Sequence, residues 1–256
     1  DLRVLDLTRV IAGPVAGRIL AAHGADVLRV GAPHLPVVGP ILADTNLGKR
    51  WTDLDLRAPA EAARFATLVR DADVVVQGYR PGGLAALGAG PEELVALRPG
   101  LVVASLSAYS HVGPWAARRG FDSLVQTATG IGAAGAAAAG VDGTRPLPAQ
   151  ALDHGAGWIL AAGILEALRR RATQGGSWLV RTSLVQVRTF LGSLGPADDL
   201  AVADPVVAVD DLRAEVDGPG GRVGHIRLPG TIDGTTPRGA RSGPLTAADS
   251  ATWRPR

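Results

Sequence analysis

Hydrophobic and polar residues follow two alternating patterns along the first 110 residues of the chain. Short β-branched and apolar runs, typical of strands buried in a sheet, are separated by segments with helical periodicity. A strand followed by a helix and a second strand within about thirty residues forms a right-handed crossover with parallel strands. The pattern therefore predicts an α/β fold with a Rossmann-like, doubly wound and mostly parallel sheet. The predicted strands cover residues 3–8, 26–30, 51–56, 73–77 and 101–106, and the predicted helices cover residues 14–23, 59–70 and 91–97.

Segments rich in glycine, proline or alanine interrupt this order. Residues 31–48 and residues 132–143 are predicted to be loops, the second of them mobile. A short helix is predicted over residues 121–130, and a longer one from Trp158 to about Arg171, where a basic cluster suits the helix dipole. Residues 177–194 carry both strand and helix signals.

The last quarter of the chain is organised differently. Residues 196–211 have the composition of a linker, and two strand signals at 212–216 and 222–228 flank a Gly-Pro-Gly-Gly turn. These signals predict a C-terminal β-hairpin. The predicted division is a large Rossmann-like domain at 1–195, a linker at 196–211, and a hairpin with a tail at 212–256 that packs on the large domain.

Composition and charge exclude several classes of function. Apolar residues make up 46% of the chain and aromatic residues only 4%, so small aliphatic side chains must fill the core. The net charge of +2 is small and interspersed, and nucleic-acid binding needs a concentrated basic face with aromatic platforms. The apolar runs are too short for a membrane span, and no signal peptide is visible. We therefore expect a cytoplasmic protein that binds neither nucleic acid nor a membrane.

Three segments near the predicted strand ends are candidates for binding an anion. Gly13 and Gly17 follow the first strand, where a helix start offers free N–H groups, or they only allow close helix–strand packing. Lys49 is the only lysine and precedes an arginine; this pair either recognises phosphate or lies in a solvated turn. Tyr79 and Arg80 follow a buried strand, where they either contact a nucleotide or belong to a turn with a partly buried tyrosine.

The candidate catalytic residue is Asp153, in a polar and glycine-rich segment before an apolar helix. The chain has no cysteine for a thiolate metal site, no His pair with the i, i+4 spacing of a metal helix, and no Gly-x-Ser-x-Gly motif. We expect no metal. Asp153 is either an N-cap of the following helix or a nucleophile facing a pocket. Gly155 and Gly157 favour the second role if they leave room for a bulky ligand.

Taken together, these segments resemble the family III CoA-transferases, which include formyl-CoA transferase, carnitine CoA-transferases and α-methylacyl-CoA racemase. No single motif is specific, but their combination and order are. The resemblance extends from residue 1 to about residue 190, with a looser match at the hairpin. The matching segments are residues 3–14, 24–30, 46–57, 72–82, 113–122 and 152–168.

The resemblance implies an enzyme that moves CoA from an acyl-CoA to a carboxylic acid, in a homodimer. Asp153 matches the catalytic aspartate, which attacks the thioester to give an aspartyl anhydride and then an aspartyl-CoA thioester. Backbone N–H groups near Gly155 are expected to stabilise the oxyanion. CoA is expected along the carboxyl ends of the strands. Its expected contacts are Ile11, Ala12, Leu54, Arg57, Gly78, Tyr79, Arg80, Arg118, Arg119 and Phe121.

The chain also departs from the family pattern. Gly31-Ala32 stands where relatives often carry an acidic residue and an arginine that pairs with CoA, and Ala86 replaces another frequent arginine. Phe121 stands where the racemase has a catalytic histidine. The linker replaces a small second domain that contributes to the substrate pocket. Two alternatives therefore remain: a non-catalytic or partner-dependent acyl-CoA-binding protein, and an acyl-CoA racemase or isomerase.

Overall fold

A six-stranded parallel sheet forms the centre of the molecule, as seen in a computed structural model that describes residues 2–195, 209–231, 233–237 and 241–256. The strand order is β3-β2-β1-β4-β5-β6. Growth of the sheet reverses direction between β1 and β4, which is the doubly wound Rossmann order. The predicted fold class is confirmed. The strands are β1 (Arg3–Leu7), β2 (Asp26–Gly31), β3 (Arg50–Asp53), β4 (Val74–Gln77), β5 (Val102–Ser107) and β6 (Trp178–Ser183).

Helices cover both faces of this sheet. The predictions for α3 and α4 match the structure residue for residue, because a proline in the first turn marks each start and costs no hydrogen bond there. The helices are α1 (Ala12–Ala22), α2 (Gly39–Thr45), α3 (Pro59–Arg70), α4 (Pro91–Leu97), α5 (Asp122–Ala128), α6 (Ile131–Ala139), α7 (Ala151–Gln174), α8 (Leu184–Ser193) and α9 (Val209–Leu212).

Successive residues of the central strands supply two separate cores. Val4 packs with α1 and α7 on one face, and its neighbour Leu5 packs with α3 and α4 on the other. This follows from the two-residue period of a strand. At one crossing the helices touch closely: a Cβ atom on Gly157 of α7 would lie 2.6 Å from Val15 and 2.8 Å from the carbonyl of Ala12 in α1. The start of α7 is thereby held beside the start of α1.

The C-terminal hairpin consists of β7 (Arg213–Val216) and β8 (Val223–Ile226), which pair antiparallel as predicted. Arg18 of α1 donates to the carbonyl of Ile226 at 2.8 Å and joins the hairpin to the large sheet layer. The tail then runs past the β3 edge, where Arg50 donates to the carbonyl of Thr252 at 2.7 Å and Trp253 donates to the carbonyl of Leu68 at 3.0 Å.

Three predictions of irregular structure are wrong. Residues 31–48 contain α2, which Pro40 starts, and residues 132–143 contain α6, whose alanines have enough helix propensity to outweigh two glycines. The long helix starts at Ala151 rather than at Trp158. Of the predicted linker, residues 196–208 lie outside the described residues and residues 209–211 belong to α9. No helix in the described ranges is long and apolar enough to cross a membrane.

Candidate active site

Asp153 lies inside the first turn of α7 and is not its N-cap. The N-cap position belongs to Gln150, whose side chain makes no capping hydrogen bond. The capping alternative for Asp153 is therefore wrong. The side chain of Asp153 is 7% exposed, and no hydrogen bond to its carboxylate is found in the part of the chain that the structure describes. Burial of a carboxyl group opposes its ionisation.

The start of α7 is held instead by Asp122, which opens α5. Its Oδ2 accepts a hydrogen bond from the backbone N–H of Asp153 at 2.8 Å, and its Oδ1 accepts one from the amide of Gln126. Gln126 also donates to the carbonyl of Ala149 at 3.2 Å and accepts from the N–H of Leu147 at 2.8 Å. Asp122 and Gln126 are both 1% exposed. Sequence reasoning missed this pair, although two buried polar residues at i, i+4 spacing were a usable signal.

Burial and a neighbouring charge make the Asp153 carboxyl unusual. Burial, and to a smaller extent the negative charge of Asp122, raise the pKa of Asp153 to about 7. A carboxyl group with this pKa is about half ionised at neutral pH. Its ionised form is poorly solvated, which is the state in which a carboxylate attacks an electrophile readily.

The glycines around Asp153 serve helix packing. A Cβ atom on Gly155 would lie 2.9 Å from Val187 of α8, and Gly157 lies against α1 as described above. The expectation that they leave room for a ligand is wrong. The N–H of Gly155 falls within the helical hydrogen-bond ladder that starts at Ala151, and the N–H of Asp153 donates to Asp122, so the N–H groups left for an oxyanion are those of Ala151 and Leu152.

The ten expected CoA contacts follow the carboxyl ends of β1, β3, β4 and β5, which share one edge of the sheet. Arg80, Arg118, Arg119 and Phe121 are exposed, whereas Ala12 and Leu54 are buried and present only backbone. The remaining four differ in how open they are. Ile11 and Tyr79 are half-buried, Gly78 is exposed, and the exposed Arg57 is paired with Asp55 at 2.7 Å.

Two adjoining cavities open at this edge. One of about 240 Å³ is lined by Val10, Lys49 and Phe121, among others, and one of about 250 Å³ by Tyr79 and residues of the tail. Arg9 and Arg29 line both cavities. Asp153 lines neither of them. A third cavity of about 670 Å³ lies between α1 and the hairpin, away from the expected site residues.

Lys49 belongs to the core beneath these cavities. Its side chain is fully buried, and its Nζ donates to Oδ2 of Asp6 at 2.7 Å and to the carbonyl of Pro14 at 2.8 Å. Both earlier alternatives, a phosphate ligand and a solvated turn, are wrong. A Cβ atom on Gly17 would lie 2.8 Å from this Nζ, so Gly17 permits close packing.

Comparison with known proteins gives consistent results. The family model described as CoA-transferase family III matches residues 1–208. The probable fatty acyl-CoA transferase Rv3272 of Mycobacterium tuberculosis is 32% identical over 202 residues, covering 74% of this chain and 51% of the relative. Succinyl-CoA–D-citramalate CoA-transferase of Chloroflexus aurantiacus is 32% identical over 200 residues, covering 70% and 47%. This chain thus spans about half the length of these curated relatives.

Two solved structures have a similar fold. A crystal structure of Rv3272 superimposes with a TM-score of 0.66 at 30% identity, covering 76% of this chain and 58% of that one. A CAIB/BAIF family protein from Brucella suis superimposes with a TM-score of 0.65 at 26% identity, covering 86% and 64%.

Proposed function

This chain belongs to the CoA-transferase family III, and we propose that it moves CoA from an acyl-CoA to a carboxylic acid through covalent intermediates on Asp153. The observation that carries the proposal is the state of that carboxyl group. It is buried, raised in pKa to about 7, and has no hydrogen-bond partner on its oxygens among the described residues. A structural carboxylate would normally be paired or capped.

The chemistry requires no net proton transfer. An oxygen of Asp153 attacks the thioester carbonyl carbon, the carbon–sulfur bond breaks, and an aspartyl anhydride forms with CoA thiolate as the leaving group. The thiolate attacks the aspartyl carbonyl of the anhydride, which releases the first acid as its carboxylate and leaves an aspartyl-CoA thioester. The acceptor carboxylate then attacks this thioester, the carbon–sulfur bond breaks, and a second anhydride forms between Asp153 and the acceptor. The thiolate attacks the acceptor carbonyl of this anhydride, which gives the new acyl-CoA and regenerates the Asp153 carboxylate.

The surrounding residues support these steps by position. Asp122 accepts from the N–H of Asp153 and fixes the first turn of α7, while its charge keeps the Asp153 carboxylate reactive. We propose that CoA lies along the carboxyl ends of the strands and contacts the residues expected from the resemblance. The division into domains and the homodimer belong to this proposal as well.

One alternative has an observation in its favour. Asp153 lines none of the three cavities above, and the chain spans about half of the relatives it matches. A partner-dependent protein would bind acyl-CoA here and receive the missing wall of the acyl pocket from a second polypeptide. Racemisation has less support, because Phe121 offers no proton-transfer group at the position of the racemase histidine.

Mass spectrometry of the intact protein after incubation with a panel of acyl-CoAs tests the proposal. We expect an acyl-CoA-dependent mass increase, localised to the peptide that contains Asp153, and its loss in Asp153→Asn. Asp142→Asn, which changes an exposed aspartate, is the matched control and should keep the adduct. The partner-dependent alternative would be favoured if the protein binds CoA but forms no adduct, whether or not an added second polypeptide restores turnover. An adduct on Asp153→Asn would contradict covalent catalysis by this residue.

A further inference from the structure

Arg29 of β2 is a buried cation without a hydrogen-bond partner. The residue is 6% exposed, and its Nη1 atom is fully buried and makes no hydrogen bond to any described residue. Its guanidinium carbon lies 4.0 Å above the ring of Trp51, which supports one face of the group. A buried N–H group that forms no hydrogen bond is energetically costly, so such a group indicates a missing partner.

The carboxylates near Arg29 are engaged elsewhere. Asp6 accepts from Lys49 and from Thr8, and Asp53 accepts from the indole N–H of Trp51 at 2.9 Å. These carboxylates raise the pKa of Arg29, but burial outweighs them and lowers it overall. No salt bridge joins Arg29 to a described acidic residue, so its charge is compensated only at a distance.

Arg29 also lies beside open space. Arg29 lines both cavities at the carboxyl edge of the sheet, together with Arg9, and Tyr79 lines one of them. Val10 and Pro14, at the start of the eleven-residue helix α1, line the other. A helix N-terminus adds positive potential for an anion.

Side-chain packing leaves no room for an acidic side chain at position 31, and Asp53, which also lines the 250 Å³ cavity, is engaged with Trp51. A Cβ atom on Gly31 would lie 2.8 Å from Nε1 of Trp51 and would collide with Asp53, so a larger residue does not fit beside the Trp51–Asp53 pair. Gly31 and Ala32 both line the 250 Å³ cavity. The acidic residue and the arginine expected there from the resemblance are thus absent, and Arg29 and Arg9 are the cations that face this space.

We propose that Arg29, assisted by Arg9 and the Tyr79 hydroxyl, binds a phosphate on the adenosine side of CoA, either the 3′-phosphate or the adenosine-linked phosphate of the diphosphate, at these cavities. The inference rests on the proposed function, because it assigns the phosphate to the CoA substrate. A planar guanidinium suits the bidentate recognition of phosphate oxygens, and Nη1 of Arg29 makes no hydrogen bond to a described residue.

A comparison of three ligands with matched variants tests this. Binding of CoA, dephospho-CoA and 4′-phosphopantetheine is measured by calorimetry for the wild type, Arg29→Gln and Arg29→Lys. Arg170→Gln is the control, since Arg170 also lies over a tryptophan, Trp178 at 5.5 Å, but lines none of the three cavities. Thermal unfolding of each variant reports whether it is folded.

We expect Arg29→Gln to weaken CoA binding by about 10-fold to 100-fold, the equivalent of a charged hydrogen bond. Arg29→Lys should show a smaller loss, because lysine keeps the charge but not the fork geometry. The loss should disappear for both analogues if Arg29 contacts the 3′-phosphate, and for 4′-phosphopantetheine alone if Arg29 contacts the diphosphate phosphate that is attached to the adenosine. Arg170→Gln should bind all three ligands as the wild type does.

Two results would overturn the inference while leaving the proposed function intact. One is wild-type affinity for CoA in a folded Arg29→Gln. The other is an equal loss for all three ligands, which would reflect altered packing. If Arg29→Gln does not fold, Arg29→Lys decides by the same two criteria. A wild type that does not bind CoA at all would contradict the proposed function itself.

Discussion

Two pairs of buried charged residues lie at the end of β1 and at the start of α7. The first pair joins opposite charges and the second brings like charges together, so the two differ in how they affect ionisation. At the first, the ammonium group of Lys49 meets the carboxylate of Asp6 at 2.7 Å, and both side chains are almost fully buried. At the second, the carboxyl group of Asp153 is buried near Asp122, which carries the same charge. Opposite charges stabilise each other's ionised form, whereas like charges oppose ionisation.

The first pair stabilises the fold, whereas Asp153 of the second pair is the proposed nucleophile. Asp6 also accepts from the N–H and hydroxyl of Thr8, so the first pair fixes the turn before α1, where Val10 adopts a positive φ of 70°. That conformation is costly for a β-branched residue and needs rigid support. Asp153 has no comparable partner among the described residues. The following changes test this contrast.

The largest effect is expected from Lys49→Met. The substitution keeps similar volume but leaves the Asp6 carboxylate buried without its cation, which lowers the free energy of unfolding by roughly 3–5 kcal/mol. Urea denaturation at neutral pH measures it. Arg170→Met removes an exposed cation that pairs with Glu166 and should remain close to the wild type. Equal stability of Lys49→Met and the wild type would show that the buried pair is not a structural support.

Asp153→Asn should stabilise the fold at neutral and alkaline pH, whereas Lys49→Met destabilises it. The pKa of Asp153 is raised from 3.8 to about 7, so the folded state binds the proton more tightly than the unfolded state. This stabilisation is complete below pH 3.8 and is lost as the pH rises through 7. At 1.36 kcal/mol per unit, the loss is roughly 4 kcal/mol.

The variant cannot titrate at this position, so its stability relative to the wild type should increase between pH 4 and pH 7 and then level off. Denaturation of both proteins across this range isolates the contribution, because every other titrating group is shared. Parallel pH profiles for the two proteins would contradict the raised pKa.

Asp122→Asn should have a smaller, mixed effect. The change removes the like charge, so the pKa of Asp153 falls. It also replaces one acceptor by an amide that cannot accept from both Gln126 and the N–H of Asp153, at a cost of about 1–2 kcal/mol. The stability difference between Asp122→Asn and the double variant Asp122→Asn/Asp153→Asn depends on pH through the ionisation of Asp153. The midpoint of this dependence should therefore lie at a lower pH than the midpoint for the wild type and Asp153→Asn. An unmoved midpoint would assign the raised pKa to burial alone.

The sequence specified regular elements better than it specified burial. The strands and the helices opened by Pro59 and Pro91 were predictable because local patterns determine them. The burial of Lys49 was not, because its partner Asp6 is 43 residues away and only the folded sheet brings the two together. The contact between Asp122 and the N–H of Asp153, 31 residues apart, was hidden for the same reason. The polar and glycine-rich segment marked Asp153 as a candidate, the resemblance implied its catalytic role, and its electrostatic state came from the structure.

The smallest effect is expected from Gly31→Ala, which tests how rigid the packing of Trp51 and Asp53 around Arg29 is. A Cβ atom there would lie 2.8 Å from Nε1 of Trp51, so the indole and Asp53 must shift. Overpacking against side-chain ends, which can move, should cost about 1 kcal/mol. Because the ring of Trp51 supports Arg29 at 4.0 Å, the shift should also change tryptophan fluorescence. Gly39→Ala, where nothing lies within 4 Å of the added atom, is the control. If both variants have wild-type stability and fluorescence, the packing around Trp51 adapts to the added atom, and of these two regions only the Lys49–Asp6 pair is rigid.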